Sequence, residues 1–85
     1  MPIAKNMSKA ERILRAKLTL HGVGASALAE AWGIKRESVY LRMSRPGNMA
    51  LKAYVQFGKA CHMDEQELAD MVCSIMEALG YEQGD

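Results

Sequence analysis

The chain has 85 residues, of which 49% are hydrophobic and 25% are charged. This length is enough for one small hydrophobic core and too short for two, and the composition is not that of a disordered or fibrous chain. No apolar run approaches the roughly 20 residues that span a bilayer, and residues 1–6 do not form the apolar stretch of a signal peptide, so we expect a cytoplasmic protein with no membrane partner.

Charge is distributed unevenly along the chain, although the net charge is only +1. All eleven basic residues precede residue 60, where three acidic residues oppose them, a balance of +8. From Asp64 onward there are seven acidic residues and no Lys or Arg, a balance of −7. This asymmetry favours a basic surface for a polyanion and an acidic end kept away from it. The alternative is two ordinary solvated surfaces of opposite sign.

Two helices are predicted in the first part of the chain. Ser8-Lys9-Ala10-Glu11 has the form of a capping box, which predicts a helix that begins there and ends near His21-Gly22. Gly24 can cap a second helix from about Ala25 to Trp32, in which Leu28 and Trp32 form an apolar stripe.

A corner follows the second helix. Gly33 can adopt the left-handed conformation of a sharp turn, and Ile34 can pack beneath that turn. A third helix is predicted from Lys35 or Arg36 to about Ser44. It is polar for its length and buries little, and Arg45-Pro46-Gly47 ends it because proline disfavours helix at the preceding residue.

Two more helices complete the predicted domain. Asn48 is the predicted N-cap of the fourth helix, and Asp64 that of the fifth. Apolar residues recur in the fifth helix at helical spacing until Gly80. No strand signal of comparable strength occurs. The sequence therefore predicts an all-α, compact five-helix domain over residues 8–80, with flexible ends at residues 1–7 and 81–85.

The two cysteines are expected to be buried thiols. A zinc site would draw on Cys61, His62, Cys73 and His21, but no C-x-x-C or H-x-x-x-H spacing presents two ligands from one short segment. We therefore expect no metal and no cofactor. We also expect no enzyme, because the chain has no Ser-His-Asp order, no Gly-rich phosphate loop and no carboxylate cluster in an identifiable cleft.

The corner carries a recognisable pattern. Ala29, Gly33, Ile34 and Val39 fit the helix-turn-helix pattern A-x-x-x-G-[VI]-x-x-x-x-V. The stretch 22–68 resembles the lambda-repressor-like, or XRE-type, helix-turn-helix family, to which small phage and mobile-element regulators belong. "LAEAWGI" resembles the second helix and turn of that family, "RESVYLRM" its recognition helix, and "LKAYVQFGKACHMDEQEL" its fourth helix and the start of the fifth. Ala25 replaces a glutamine that contacts a phosphate in many members, and Arg42 replaces an aliphatic residue that points inward.

This resemblance implies a sequence-specific transcriptional regulator, a repressor or an activator, that places its third helix in the major groove of double-stranded DNA. It makes six outward side chains candidates for base contacts: Lys35, Arg36, Glu37, Tyr40, Leu41 and Ser44. Basic side chains near this helix are candidates for phosphate contacts: Lys35, Arg45 and Lys52, with Arg12, Arg15 and Lys17.

The fifth helix has two interpretations. Its apolar side can close the monomer core, or it can form a homodimer surface from Met71, Val72, Ile75, Met76 and Leu79. A rival function makes the chain a protein-interaction module, such as an antitoxin or inhibitor, that binds a protein partner through the acidic fifth helix.

Overall fold

Five α-helices account for most of residues 7–80, the part of the chain that the computed structural model describes. The helices are α1 (Lys9–His21), α2 (Ala25–Trp32), α3 (Arg36–Met43), α4 (Leu51–Ala60) and α5 (Glu65–Ala78), with one 3₁₀ turn at Pro46–Asn48. No strand occurs within residues 7–80. The predicted all-α, five-helix architecture is confirmed. The predicted flexible ends lie outside the described residues, except for Met7.

Local capping groups set four of the ten helix ends, at Ser8, Gly22, Gly33 and Asp64, as predicted. The Ser8 hydroxyl accepts the Glu11 N–H at 3.1 Å to begin α1, and the Asp64 carboxylate accepts the Glu67 N–H at 2.8 Å to begin α5. Gly33 ends α2 with a φ of +69°, and the next N–H, that of Ile34, donates to the Ala29 carbonyl at 3.0 Å. This closing bond turns the chain sharply from α2 into α3.

The start of α4 differs from the prediction. Asn48 is not the N-cap of α4, because it ends a 3₁₀ turn in which its N–H donates to the Arg45 carbonyl at 2.9 Å. Pro46 favours this turn by fixing its own φ at the first position. The cap of α4 is Ala50, which offers no side-chain hydrogen bond. Tyr54 ties the turn to α4 because its hydroxyl donates to the Pro46 carbonyl at 2.7 Å, and burial raises the pKa of Tyr54.

All five helices contribute to one core. Helix α1 packs against α5, while α2 packs against both α3 and α4. The largest fully buried side chains come from every helix: Leu14, Leu28, Val39, Met43, Phe57, Met71 and Ile75. Trp32 joins α2 to α4, because its indole N–H donates to the Ala53 carbonyl at 2.9 Å and its ring lies 6.3 Å from that of Phe57. The core therefore fixes α3 through its contacts with α2.

The apolar side of α5 is divided between the core and the surface. Met71 and Ile75 are each 2% exposed and close the monomer core. Val72 and Met76 are half-buried, and Leu79 is 49% exposed. Only these last three of the proposed dimer residues present free surface in the monomer.

The two cysteines occupy different environments. Cys61 is buried, whereas Cys73 is exposed, so the expectation that both are buried was wrong for Cys73. Helical geometry explains the difference, because the inward positions of α5 are Met71 and Ile75 and the residue midway between them points away from the core. Among residues 7–80, no three His, Cys, Asp or Glu side chains form a group that could hold a metal ion, and no helix is long and apolar enough to cross a membrane.

Candidate functional site

Helix α3 has one buried side and one exposed side. Val39 and Met43 are completely buried, and they point inward together because positions four apart share a helix face. The six side chains that the sequence assigned to base contacts are all exposed: Lys35, Arg36, Glu37, Tyr40, Leu41 and Ser44. We call these six the α3 outer surface. Ile34 packs against the core beneath the turn, and Ala29 is buried where α2 meets α3.

The α3 outer surface combines charged, aromatic and aliphatic groups. Tyr40 is 42% exposed and Leu41 is 59% exposed, so adjacent aromatic and aliphatic groups face outward here. The Ser44 hydroxyl donates to the Leu41 carbonyl at 2.6 Å, within the last turn of the helix. Within residues 7–80, no ion pair engages Lys35 or Arg36. Both basic groups are therefore available to an outside ligand.

Arg42 lies beside this surface and contacts α2. Its guanidinium lies over the Trp32 ring, with the central carbon 4.9 Å from the ring centroid. This cation–π contact explains how a charged residue occupies a position between the inner and outer sides of α3, because the guanidinium covers an apolar ring and keeps access to solvent. Arg42 does not displace the buried side of α3, since Val39 and Met43 fill the core.

Helix α1 reaches the α3 outer surface through Arg15. The Arg15 guanidinium lies 4.8 Å from the centroid of the Tyr40 ring. The same guanidinium is 2.9 Å from the Glu11 carboxylate, one turn earlier in α1. These two contacts hold Arg15 between α1 and α3. Arg12 is exposed on the same helix.

Lys17 points toward α5 and joins a cluster of charges there. Glu67 Oε2 accepts from Lys17 Nζ at 3.0 Å and lies 2.7 Å from His21 Nε2. The hydrogen bonds from His21 and then from Lys17 lower the pKa of Glu67 from its ordinary value of 4.5. Because α5 packs directly on α1, the acidic end of the chain neutralises part of the basic end.

A hollow of about 510 Å³ lies between α3 and the start of α4, and we call it the α3–α4 hollow. Its apolar lining consists of Ile34, Leu41, Met49, Ala50 and Ala53. Its polar lining consists of Ser38, Arg42, Arg45 and Asn48. Leu41 belongs both to this lining and to the α3 outer surface, so the two features adjoin.

A second, apolar groove of about 330 Å³ lies between α4 and α5. Leu51 and Val55 line one side, and Leu68 and Val72 line the other. Leu51 is 74% exposed, and the exposed Cys73 also lines the groove. This groove is continuous with the free part of the apolar side of α5 through Val72.

Sequence patterns did not reveal the Trp32–Arg42 pair or the α3–α4 hollow. The two partners are ten positions apart, on different helices, so no single-helix periodicity connects them. The only signal was Arg42 itself, a charged residue at a position where an aliphatic one was expected.

Neither a protein-family model, nor a curated protein, nor a solved structure matches this chain. A functional conclusion therefore depends on the side chains of α3 and the charged groups around it.

Proposed function

We propose that this protein is a sequence-specific DNA-binding transcriptional regulator, a repressor or an activator, that resembles the lambda-repressor-like family. It inserts α3 into the major groove of an operator. The observation that carries this proposal is the α3 outer surface, in which six exposed side chains project from a helix anchored by Val39 and Met43. The major groove admits one α-helix and displays hydrogen-bond donors and acceptors on base edges.

The outward side chains have the chemistry that base contacts require. The Arg36 guanidinium can donate two hydrogen bonds to one guanine, and the Glu37 carboxylate can accept from cytosine or orient Arg36. Tyr40 and Leu41 supply apolar surface for thymine methyl groups. Lys35 precedes the first turn of α3, where it can contact a base or a phosphate. Ser44 keeps a hydroxyl acceptor at the far end of the helix.

Phosphate contacts fall to the basic groups around α3. Arg45 and Lys52 are exposed, and within residues 7–80 no ion pair engages either one. Arg12 is an exposed candidate on α1. Arg15 and Lys17 are weaker candidates, because Glu11 and Glu67 respectively already bind their charged groups. Each phosphate contact would contribute to affinity without conferring base preference.

The protein is proposed to act as a homodimer. One domain of this size covers few base pairs, whereas a two-fold pair of α3 helices reads two half-sites one helical turn apart. Val72, Met76 and Leu79 offer free apolar surface on α5 for such an interface. Met71 and Ile75 support this surface from within the core.

The rival proposal is a protein-interaction module, such as an antitoxin or inhibitor, that uses α5. The exposed Glu65, Asp70 and Glu77 would contact a basic partner protein. Glu67 contributes less to this surface because its carboxylate binds Lys17 and His21.

Selection from a pool of random duplex DNA tests the main proposal. Binding is measured at about 0.05 M and about 0.2 M salt for the wild type, for Arg36→Ala and for Lys59→Ala. Lys59 is the matched control because it is an exposed basic residue in the last turn of α4, about 10 Å along the helix from Lys52.

We expect the wild type to enrich a two-fold symmetric site and to bind it with a steep salt dependence. Arg36→Ala should relax base preference at one position of each half-site, at a cost of about 1–3 kcal/mol, while Lys59→Ala behaves like the wild type. No enriched sequence, together with identical binding by all three proteins, would refute DNA reading by α3. Tight capture of one protein beside salt-insensitive DNA binding would favour the rival proposal.

A further inference from the structure

Two arginine side chains line the α3–α4 hollow, and no carboxylate does. Arg42 projects into it from α3 and Arg45 from the 3₁₀ turn, with Ser38 and Asn48 completing the polar lining. Within residues 7–80, no ion pair engages either arginine. Two positive charges that share a hollow repel one another, so an anion would stabilise the arrangement.

We propose that the α3–α4 hollow binds one backbone phosphate of DNA, and that Arg42, oriented by Trp32, is a ligand of that phosphate together with Arg45. This inference rests on the proposed function, because it assigns a phosphodiester site beside the α3 outer surface. It also gives a role to Arg42, which belongs neither to that surface nor to the core.

Trp32 fixes the position of the Arg42 guanidinium. The Trp32 ring is itself held by the hydrogen bond to Ala53 and by its contact with Phe57. A guanidinium that stacks on a ring uses its face for the stack and keeps its N–H donors free at its edge. Those donors match the geometry of phosphate oxygens, and little side-chain freedom remains to be lost on binding.

The location of the hollow fits a DNA strand that passes over α3. Leu41 is shared by the hollow and the α3 outer surface, so a strand whose bases meet Leu41 carries its backbone past Arg42. The hollow also includes Ala50, the N-cap of α4, which offers no side-chain hydrogen bond. The positive end of the α4 dipole therefore adds to the positive potential of the same hollow.

The salt dependence of duplex binding tests this assignment. The dissociation constant for a labelled duplex is measured by fluorescence anisotropy from about 0.05 M to about 0.2 M salt, because each phosphate contact contributes about 0.9 to the logarithmic slope. Arg42→Ala should reduce the slope by about 0.9, so that the loss of affinity across this range is about 3.5-fold smaller than for the wild type. Arg42→Ala should also weaken binding to all duplexes equally, without changing base preference.

Two further variants separate charge, geometry and folding. Arg42→Lys keeps the charge and loses the guanidinium fork, so it should recover the slope but only part of the affinity at low salt. Lys59→Ala should match the wild type in slope and affinity. Trp32 is the single tryptophan of the chain and the Arg42 guanidinium stacks on it, so the duplex should change its emission in the wild type. Thermal unfolding of each variant confirms that it is folded at the assay temperature.

Several results would overturn the assignment. An unchanged slope in folded Arg42→Ala would show that Arg42 contacts no phosphate, and full wild-type affinity in Arg42→Lys would show that the guanidinium fork is not used. A changed base preference in Arg42→Ala would make Arg42 a base-contacting residue. If the wild type binds DNA and Arg42→Ala binds it with the same slope and affinity, this inference alone fails. If the wild type binds no duplex at low salt, the proposed function fails with it.

Discussion

Met43 tests the orientation of α3, on which the proposed function depends. Its side chain is completely buried, and Val39 is the only other fully buried residue of this helix. Truncation in Met43→Ala should cost about 3 kcal/mol of unfolding free energy, within the usual range for a large buried aliphatic side chain. An 85-residue protein typically has about 4–13 kcal/mol of stability, so the variant should remain folded at room temperature. Its melting temperature should fall by about 12–24 °C.

Leu41→Ala is the matched control, because Leu41 lies two positions earlier on the opposite side of the same helix and is 59% exposed. Its truncation should change stability by no more than about 0.5 kcal/mol and should weaken DNA binding instead. Unfolding by heat and by urea, followed by circular dichroism, measures both variants. Equal losses of stability, or a larger loss for Leu41→Ala, would mean that α3 is rotated and that the α3 outer surface is wrongly assigned.

Three other outcomes follow from local geometry. Gly33→Ala should cost about 1–2 kcal/mol, because an alanine at a φ of +69° is strained although its Cβ would contact nothing, and calorimetric or urea unfolding checks this. In the native protein a thiol reagent should modify the exposed Cys73 at once and the buried Cys61 only on unfolding. Burial, and after it the Glu67 carboxylate, raises the pKa of the Cys61 thiol and so lowers its reactivity. Rapid modification of both cysteines would contradict the packing. The pKa of Glu67 is lowered in the folded protein, so its ionised form stabilises the fold. Its contribution to the free energy of unfolding should be full above pH 4.5 and should disappear as the pH falls through the pKa of Glu67 in the folded state. The stability difference between wild type and Glu67→Gln should therefore shrink with acid in urea titrations, and a pH-independent difference would refute this.

The sequence predicted the helices well because their ends depend on neighbouring residues. Ser8, Gly33 and Asp64 act through hydrogen bonds to groups within a few positions, and such bonds form wherever the chain is helical. The prediction for Asn48 was wrong because this residue can either cap α4 or end a 3₁₀ turn that begins at Pro46. In the structure it ends the 3₁₀ turn. The position of Arg42 could not be predicted, because it depends on a ring in another helix.

The site was predictable only in part, and for a similar reason. Exposure of the α3 outer surface follows from the helical period once Val39 and Met43 point inward. The partners of Lys17 do not follow from any period, because Glu67 is fifty residues away and meets Lys17 only when α1 packs on α5. Tertiary packing therefore places the charged group of Lys17 against α5 and not beside α3.

The pairing of α1 with α5 changes the meaning of the charge asymmetry. Summed along the chain, a balance of +8 before residue 60 and −7 after it indicates two separate surfaces. In the folded protein Glu67 neutralises charge on α1. The segment 35–52, which contains α3, instead carries five basic residues and one acidic residue, Glu37. Positive charge is thus concentrated where α3 is exposed, and a polyanion responds to that local potential rather than to the net charge of +1. A steep salt dependence of binding is therefore compatible with a nearly neutral chain.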